Sequence, residues 1–120
     1  MEGPGQFLRH YAPNIESYLF DGKLTDENLT LKDSVLIDYN GLMKHLEPEV
    51  NHYIDMSSRG SFLEAVKELY DVLRWSETKT DSKSVLIANV LKITKTEGEG
   101  NEHRDALFDR IYRATSGKLA

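Results

Sequence analysis

Apolar positions along this chain fall into short uninterrupted runs separated by polar, breaker-rich stretches, and that alternation predicts the elements. Ser17-Tyr18-Leu19-Phe20, stopped by Asp21-Gly22, reads as a first strand. Ser34-Val35-Leu36-Ile37-Asp38-Tyr39 is continuously apolar and β-rich up to Asn40-Gly41. Ser84-Val85-Leu86-Ile87-Ala88-Asn89-Val90 repeats that character. Such runs suit strands covered on both faces, because a strand with one wet face alternates apolar and polar residues. His52 to Met56 is a further short strand, and Ser57-Ser58-Arg59-Gly60 turns the chain. Thr25 to Lys32 fits either a single helical turn or a loop. Leu42, Met43 and Leu46 predict a short helical patch ending before Pro48, where the backbone donor is lost.

Two longer segments carry a helical period. Ser61 to Arg74 opens with Ser61 and Glu64 at capping-box spacing. Phe62, Leu63, Val66, Leu69, Tyr70 and Leu73 recur as one apolar stripe. Glu77 to Lys83 is a polar loop, with Trp75 as a packing residue at the helix end. Glu102 to Ser116 is the second helix, with Leu107, Ile111 and Ala114 on one face. Gly117 stands where a helix-ending glycine belongs, and Lys118 complements the negative end of the helix dipole. Strands alternating with helices predict a three-layer α/β/α, Rossmann-like domain with a small, mostly parallel sheet.

Composition narrows the function classes. One hundred and twenty residues suit one domain. The absence of cysteine excludes disulfides, zinc ribbons and thiol chemistry. No apolar run reaches membrane-spanning length, and Met1 to Gln6 has no secretory layout, so a cytoplasmic location and no membrane partner are expected. A net charge of -5 disfavours DNA or RNA as a direct partner.

Little of the remaining chemistry forms a constellation. Ser116-Gly117-Lys118 lacks the rest of a phosphate loop and reads as a helix terminus. Gly98-Glu99-Gly100 lacks the third glycine of a dinucleotide fingerprint, and Glu97, Glu99 and Glu102 would repel phosphate. Its reading is a loop, with a backbone anion site at the following helix start as the functional alternative. His10, His45, His52 and His103 show no ligand-pair spacing, so no metal site is expected. The exception is the leader. Residues 1–14 are bounded by Gly3-Pro4-Gly5 and Pro13-Asn14, and enclose Arg9-His10-Tyr11. An extended segment would present Arg9 and Tyr11 to one side and His10 to the other. Arg9 offers a forked contact to phosphate oxygens, and Tyr11 a stacking face or a hydrogen-bond donor. The same residues are also compatible with an inert tail.

Pro4-Gly5-Gln6-Phe7-Leu8-Arg9-His10-Tyr11-Ala12-Pro13 resembles the linker motif of the two-domain threonylcarbamoyl-AMP synthases. That motif is proline-glycine, three variable positions, a basic residue, then histidine-tyrosine-alanine-proline. Tyr53-Ile54-Asp55-Met56-Ser57 with Gly60, Glu64-Ala65, Leu69 to Arg74, and Ala106 to Arg113 resemble the C-terminal domain of the same family more loosely. The resemblance implies that residues 1–14 are an interdomain linker and 15–120 a Rossmann-like C-terminal domain. It implies a parent enzyme, a nucleotidyltransferase, that converts L-threonine, bicarbonate and ATP into threonylcarbamoyl-adenylate and pyrophosphate. The product serves t6A modification of adenosine 37 in tRNAs reading ANN codons.

Catalysis in that family belongs to a YrdC-like domain, which these residues do not include. The expected partner is therefore a YrdC-like catalytic domain, in cis or in trans. ATP and Mg are implied for the full enzyme and no cofactor for this domain. ATP and L-threonine would be met only indirectly, with Arg9, His10 and Tyr11 as the lid over the active site. No residue of this domain is expected to be catalytic. The alternatives are a protein-interaction module recruiting tRNA-modification partners through Glu102 to Arg113 and the preceding loop, and an independent nucleotide binder.

Overall fold

The structure, a computed structural model, describes residues 15–94 and 102–120. Among these residues are four strands: β1 (Glu16–Phe20), β2 (Ser34–Asp38), β3 (His52–Asp55) and β4 (Ser84–Ala88). They form one sheet in the order β1-β4-β2-β3, and every pairing is parallel. β2 and β4 hold the two inner places and are buried at every position, which is the physical reason for their uninterrupted apolar runs. The described residues also form three α-helices: α1 (Phe62–Glu77) between β3 and β4, then the single-turn α2 (Val90–Ile93) and α3 (Glu102–Thr115). The α/β class and the parallel sheet are as the pattern predicts.

Connection handedness explains the layering. The steps β1 to β2 and β2 to β3 cross the sheet in one direction, and the steps out of β3 and β4 return in the other. Right-handed crossovers therefore place the first two connections on one face and α1 with α3 on the opposite face. There α1 and α3 pack against each other, and α3 packs on β1. The first two connections contain 3-10 turns, Leu31–Asp33 and Lys44–Glu49, and contribute Met43 and Leu46 to the core.

Several local expectations are corrected. The turn at Lys44–Glu49 runs through Pro48. A 3-10 helix of six residues makes few internal bonds, so a missing donor near its end costs little. β4 stops at Ala88. Asn89 then caps α2 by accepting from the Lys92 amide, its own amide donating to the Phe20 carbonyl at 2.9 Å. Of the predicted apolar stripe of α1, Phe62, Val66, Leu69 and Leu73 pack on the core, and two members do not. Ala65, Leu69, Val72 and Ser76 are buried, whereas Leu63 and Tyr70 are 42% and 58% exposed. Apolar residues cover more than one face of this helix, so the period is legible but the phase is not. The small side chains Ala65 and Ser76 share the buried face with Leu69 and Val72.

The chain end differs as well. Ser116 and Gly117 both take left-handed conformations (φ 56° and 72°) after α3. A Cβ on Gly117 would lie 2.7 Å from the Tyr112 ring, so glycine is required there by space as well as by torsion. The Lys118 amide donates to the Thr115 carbonyl at the helix end at 3.1 Å, but its side chain is directed away. The chain turns back beside β1, where Leu19 N donates to the Lys118 carbonyl at 2.7 Å and Ala120 N donates to the Leu19 carbonyl at 2.9 Å. The Lys118 ammonium meets Glu16 at 2.6 Å.

Candidate functional site

In open parallel sheets, ligands and functional loops gather at the carboxyl edge, where connections leave for opposite faces. The best-built cluster of this chain lies there, beyond β2 and β3. Asp38, the last residue of β2, is fully buried. Its Oδ1 accepts from Tyr39 N at 2.7 Å, and its Oδ2 from Met43 N at 2.9 Å and the Tyr53 hydroxyl at 2.6 Å. Asp55 ends the neighbouring strand at the paired position. It accepts from Asn40 N at 3.1 Å, Ser57 N at 2.9 Å and Gly41 N at 2.7 Å. Two carboxylates thus hold the loop from Tyr39 to Met43, including the left-handed pair Asn40 (φ 55°) and Gly41 (φ 64°). Asn and Gly suit that torsion. Gly60 backs onto the Asn40 side chain so closely that a Cβ would fall 2.9 Å from its Cγ.

The start of α1 is wired into the same cluster. Ser61 caps the helix by accepting from Glu64 N at 3.0 Å, which is the predicted half of the capping box. The reciprocal half is not made. Ser61 N donates instead to Ser57 Oγ at 2.9 Å, and the Glu64 carboxylate receives the Ser57 hydroxyl at 2.5 Å and Arg59 Nε at 3.1 Å. Phe62 stacks flat on Tyr39 with ring centroids 4.8 Å apart.

The electrostatics follow from burial and partners. Desolvation raises the Asp38 carboxyl above its ordinary range, against the opposing pull of its Tyr53 and amide donors. Burial pushes Tyr39 up to about 12, with Asp55 adding to the shift. Tyr53 is raised further, by burial first and then by its bond to Asp38. The Ser57 hydroxyl and then Arg59 hold Glu64 below the usual carboxylate range. Both strand-end carboxylates are taken up with backbone amides, and burial favours the protonated form of both phenols. The work of the arrangement is to fix three segments at one sheet edge.

A crevice of about 130 Å³ lies beyond the paired carboxyl ends of β1 and β4 and is lined by Asp21, Lys23, Thr25, Asn89 and Lys92 with the chain end. Lys92 meets Asp21 at 2.6 Å within it, and that bond lowers the Asp21 carboxyl.

Arg9, His10 and Tyr11 lie outside the described residues, as do Gly98, Glu99 and Gly100. His45 and His103 are exposed and apart, and His52 pairs with Asp81 at 3.0 Å. Among the described residues no group of three His, Asp or Glu side chains is placed to hold a metal ion. Trp75 packs as predicted, with the His52 ring edge-on at 6.2 Å and the Lys79 ammonium over its face at 4.8 Å. The pattern of apolar runs did not single out Asp38. The available signal was a carboxylate closing an otherwise apolar strand directly before a turn-forming Tyr39-Asn40-Gly41.

What these features define is a small parallel α/β domain whose carboxyl edge beyond β2 and β3 is tied together by two strand-end carboxylates. The chain belongs to the family described as threonylcarbamoyl-AMP synthase, C-terminal domain, whose match spans residues 1–116 and so takes in the leader together with the folded domain. Its place is in a threonylcarbamoyl-AMP synthase. Tyr53 to Ser57, Gly60 and Glu64, the stretch resembling that family, are the residues that build the network at the carboxyl ends of β2 and β3. No curated protein and no solved structure gives a significant match. No helix among the described residues is long and apolar enough to cross a membrane.

Proposed function

We propose that this chain is the accessory, lid-anchoring domain of an enzyme that makes threonylcarbamoyl-adenylate from L-threonine, bicarbonate and ATP for tRNA t6A37 modification in the cytoplasm. The observation that carries the reading is that one family match runs unbroken across leader and domain. The fold adds a mechanical argument. Ile15 packs against the core and Glu16 begins β1, which β4 pairs on one side and residues 118–120 flank on the other. A linker ending at residue 14 is thereby tethered to a stiff element. Fourteen residues reach about 48 Å at most when extended, enough to lie across a neighbouring catalytic domain.

In this reading the catalytic YrdC-like domain, in cis or in trans, carries the chemistry. Arg9, His10 and Tyr11 close over the nucleotide and threonine. Tethering holds the cation of Arg9 near a polyphosphate at high effective concentration. Closure excludes water from a labile carbamoyl intermediate. In the same reading the Mg implied for the full enzyme is held by the catalytic domain.

The test is steady-state kinetics on the two-domain enzyme. Arg9→Ala is expected to raise the KM for ATP or to lower kcat. Kinetics indistinguishable from the parent enzyme would refute the lid.

A further inference from the structure

Residues 118–120 are built onto the outer edge of β1, the strand into which the leader runs. α3 closes through Ser116 and Gly117, with Gly117 seated against the Tyr112 ring, and the Lys118 amide donates to the Thr115 carbonyl at 3.1 Å. An edge strand presents unpaired amides and carbonyls. At Leu19 both are taken up, the amide by the Lys118 carbonyl at 2.7 Å and the carbonyl by the Ala120 amide at 2.9 Å. Ala120 is held from the other side as well. Its carbonyl accepts from the Thr25 amide at 3.2 Å and from the Thr25 hydroxyl at 2.9 Å. The Lys118 ammonium reaches Glu16, the first residue of β1, at 2.6 Å and lies over the Tyr18 ring, 5.1 Å from its centroid. The tail therefore joins α3, β1 and the β1–β2 connection beside the place where residues 1–14 enter the domain.

We propose that Lys118 is a positioning residue for the lid: through Glu16, and together with the Ala120 bonds, it fixes the point and direction at which the leader departs. This role rests on the reading of residues 1–14 as a lid and adds the tail to the parts that govern closure.

Tether length gives the scale. Arg9 stands seven residues before Glu16. If β1 frays as far as Leu19, the tether lengthens to about ten residues and the effective concentration of Arg9 at a polyphosphate falls roughly twofold. The Lys118–Glu16 pair is half-exposed, so its share of the hold weakens as salt rises. A tail that only capped the sheet edge would leave the lid indifferent to these bonds.

The experiment is steady-state kinetics on the two-domain enzyme at low salt. Lys118→Met removes the ammonium, Ala120→Pro removes the donor to the Leu19 carbonyl, and the two are combined in one chain. Its kcat/KM for ATP is expected to fall about twofold or more. The same two substitutions in an Arg9→Ala background should cause no further loss, because no lid cation is left to position. Lys118→Arg, which keeps a cation for Glu16, should retain the parent kinetics. Thermal unfolding of each variant ensures that folded enzyme is assayed. Unchanged kcat/KM in the double variant would overturn the proposal. So would equal losses with and without Arg9, since the tail would then act on the fold alone. A Lys118→Arg enzyme as impaired as the double variant would overturn it too. An Arg9→Ala enzyme identical to the parent would remove the lid and this role with it, a failure that the single variant tells apart from the others.

Discussion

Glu77 offers the sharpest quantitative test of the physical reasoning. It is the last residue of α1, and its Oε1 is buried with no hydrogen-bond partner. Burial pushes its carboxyl from the ordinary 4.5 up to about 7, and Arg74 only partly opposes the shift. The negative end of the α1 dipole disfavours the anion further. The folded chain thus binds a proton that the unfolded chain has released. Stability contributed by that proton is complete below about pH 4.5 and is lost as pH rises to about 7. A shift of about 2.5 units at 1.36 kcal/mol each sets a ceiling of about 3.4 kcal/mol, and partial exposure reduces it to roughly 2.

Glu77→Gln keeps the shape and removes the titration. Relative to the parent chain, the variant should gain roughly 2 kcal/mol between pH 5 and pH 8, or on the order of 10 °C in Tm for a domain this size. The assay is thermal unfolding of both chains at several pH values in one ionic strength, and the readout is the difference between their profiles. Two parallel profiles would show that the carboxyl ionises as freely in the folded chain as in the unfolded one, and the argument from burial would fail.

The carboxyl-edge network and the chain end give two more tests. Tyr53→Phe leaves buried Asp38 short of its hydroxyl donor, and urea denaturation should show a loss of about 1–3 kcal/mol; unchanged stability would mean that water replaces the phenol. Gly117→Ala introduces a side chain at φ 72° against the Tyr112 ring and should cost about 1–3 kcal/mol. Adding Tyr112→Ala should recover only the steric share of that loss, and full recovery would deny the torsional strain.

The sequence by itself determined the inventory of elements and the class of the sheet. Val35 to Ile37 and Val85 to Ile87 are too uniformly apolar for anything but inner strands, and inner strands with no wet face imply a parallel sheet under two covers. It also carried the family, because the leader motif is contiguous and needs no folding to be read. What it left open were quantities set by contacts between distant segments. Which apolar residues of α1 are covered was one of them: Ala65 and Val72 are buried, while Leu63 and Tyr70, which fit the same period, are exposed. Asp38 acquired its role only once Met43, Tyr53 and the Asn40-Gly41 turn were gathered around it, since a carboxylate in a strand pattern carries no mark of what it will bind. Periodicity records a residue's neighbours along the chain. Burial, hydrogen bonding and proton affinity depend on its neighbours in space, and those the tertiary structure alone supplies.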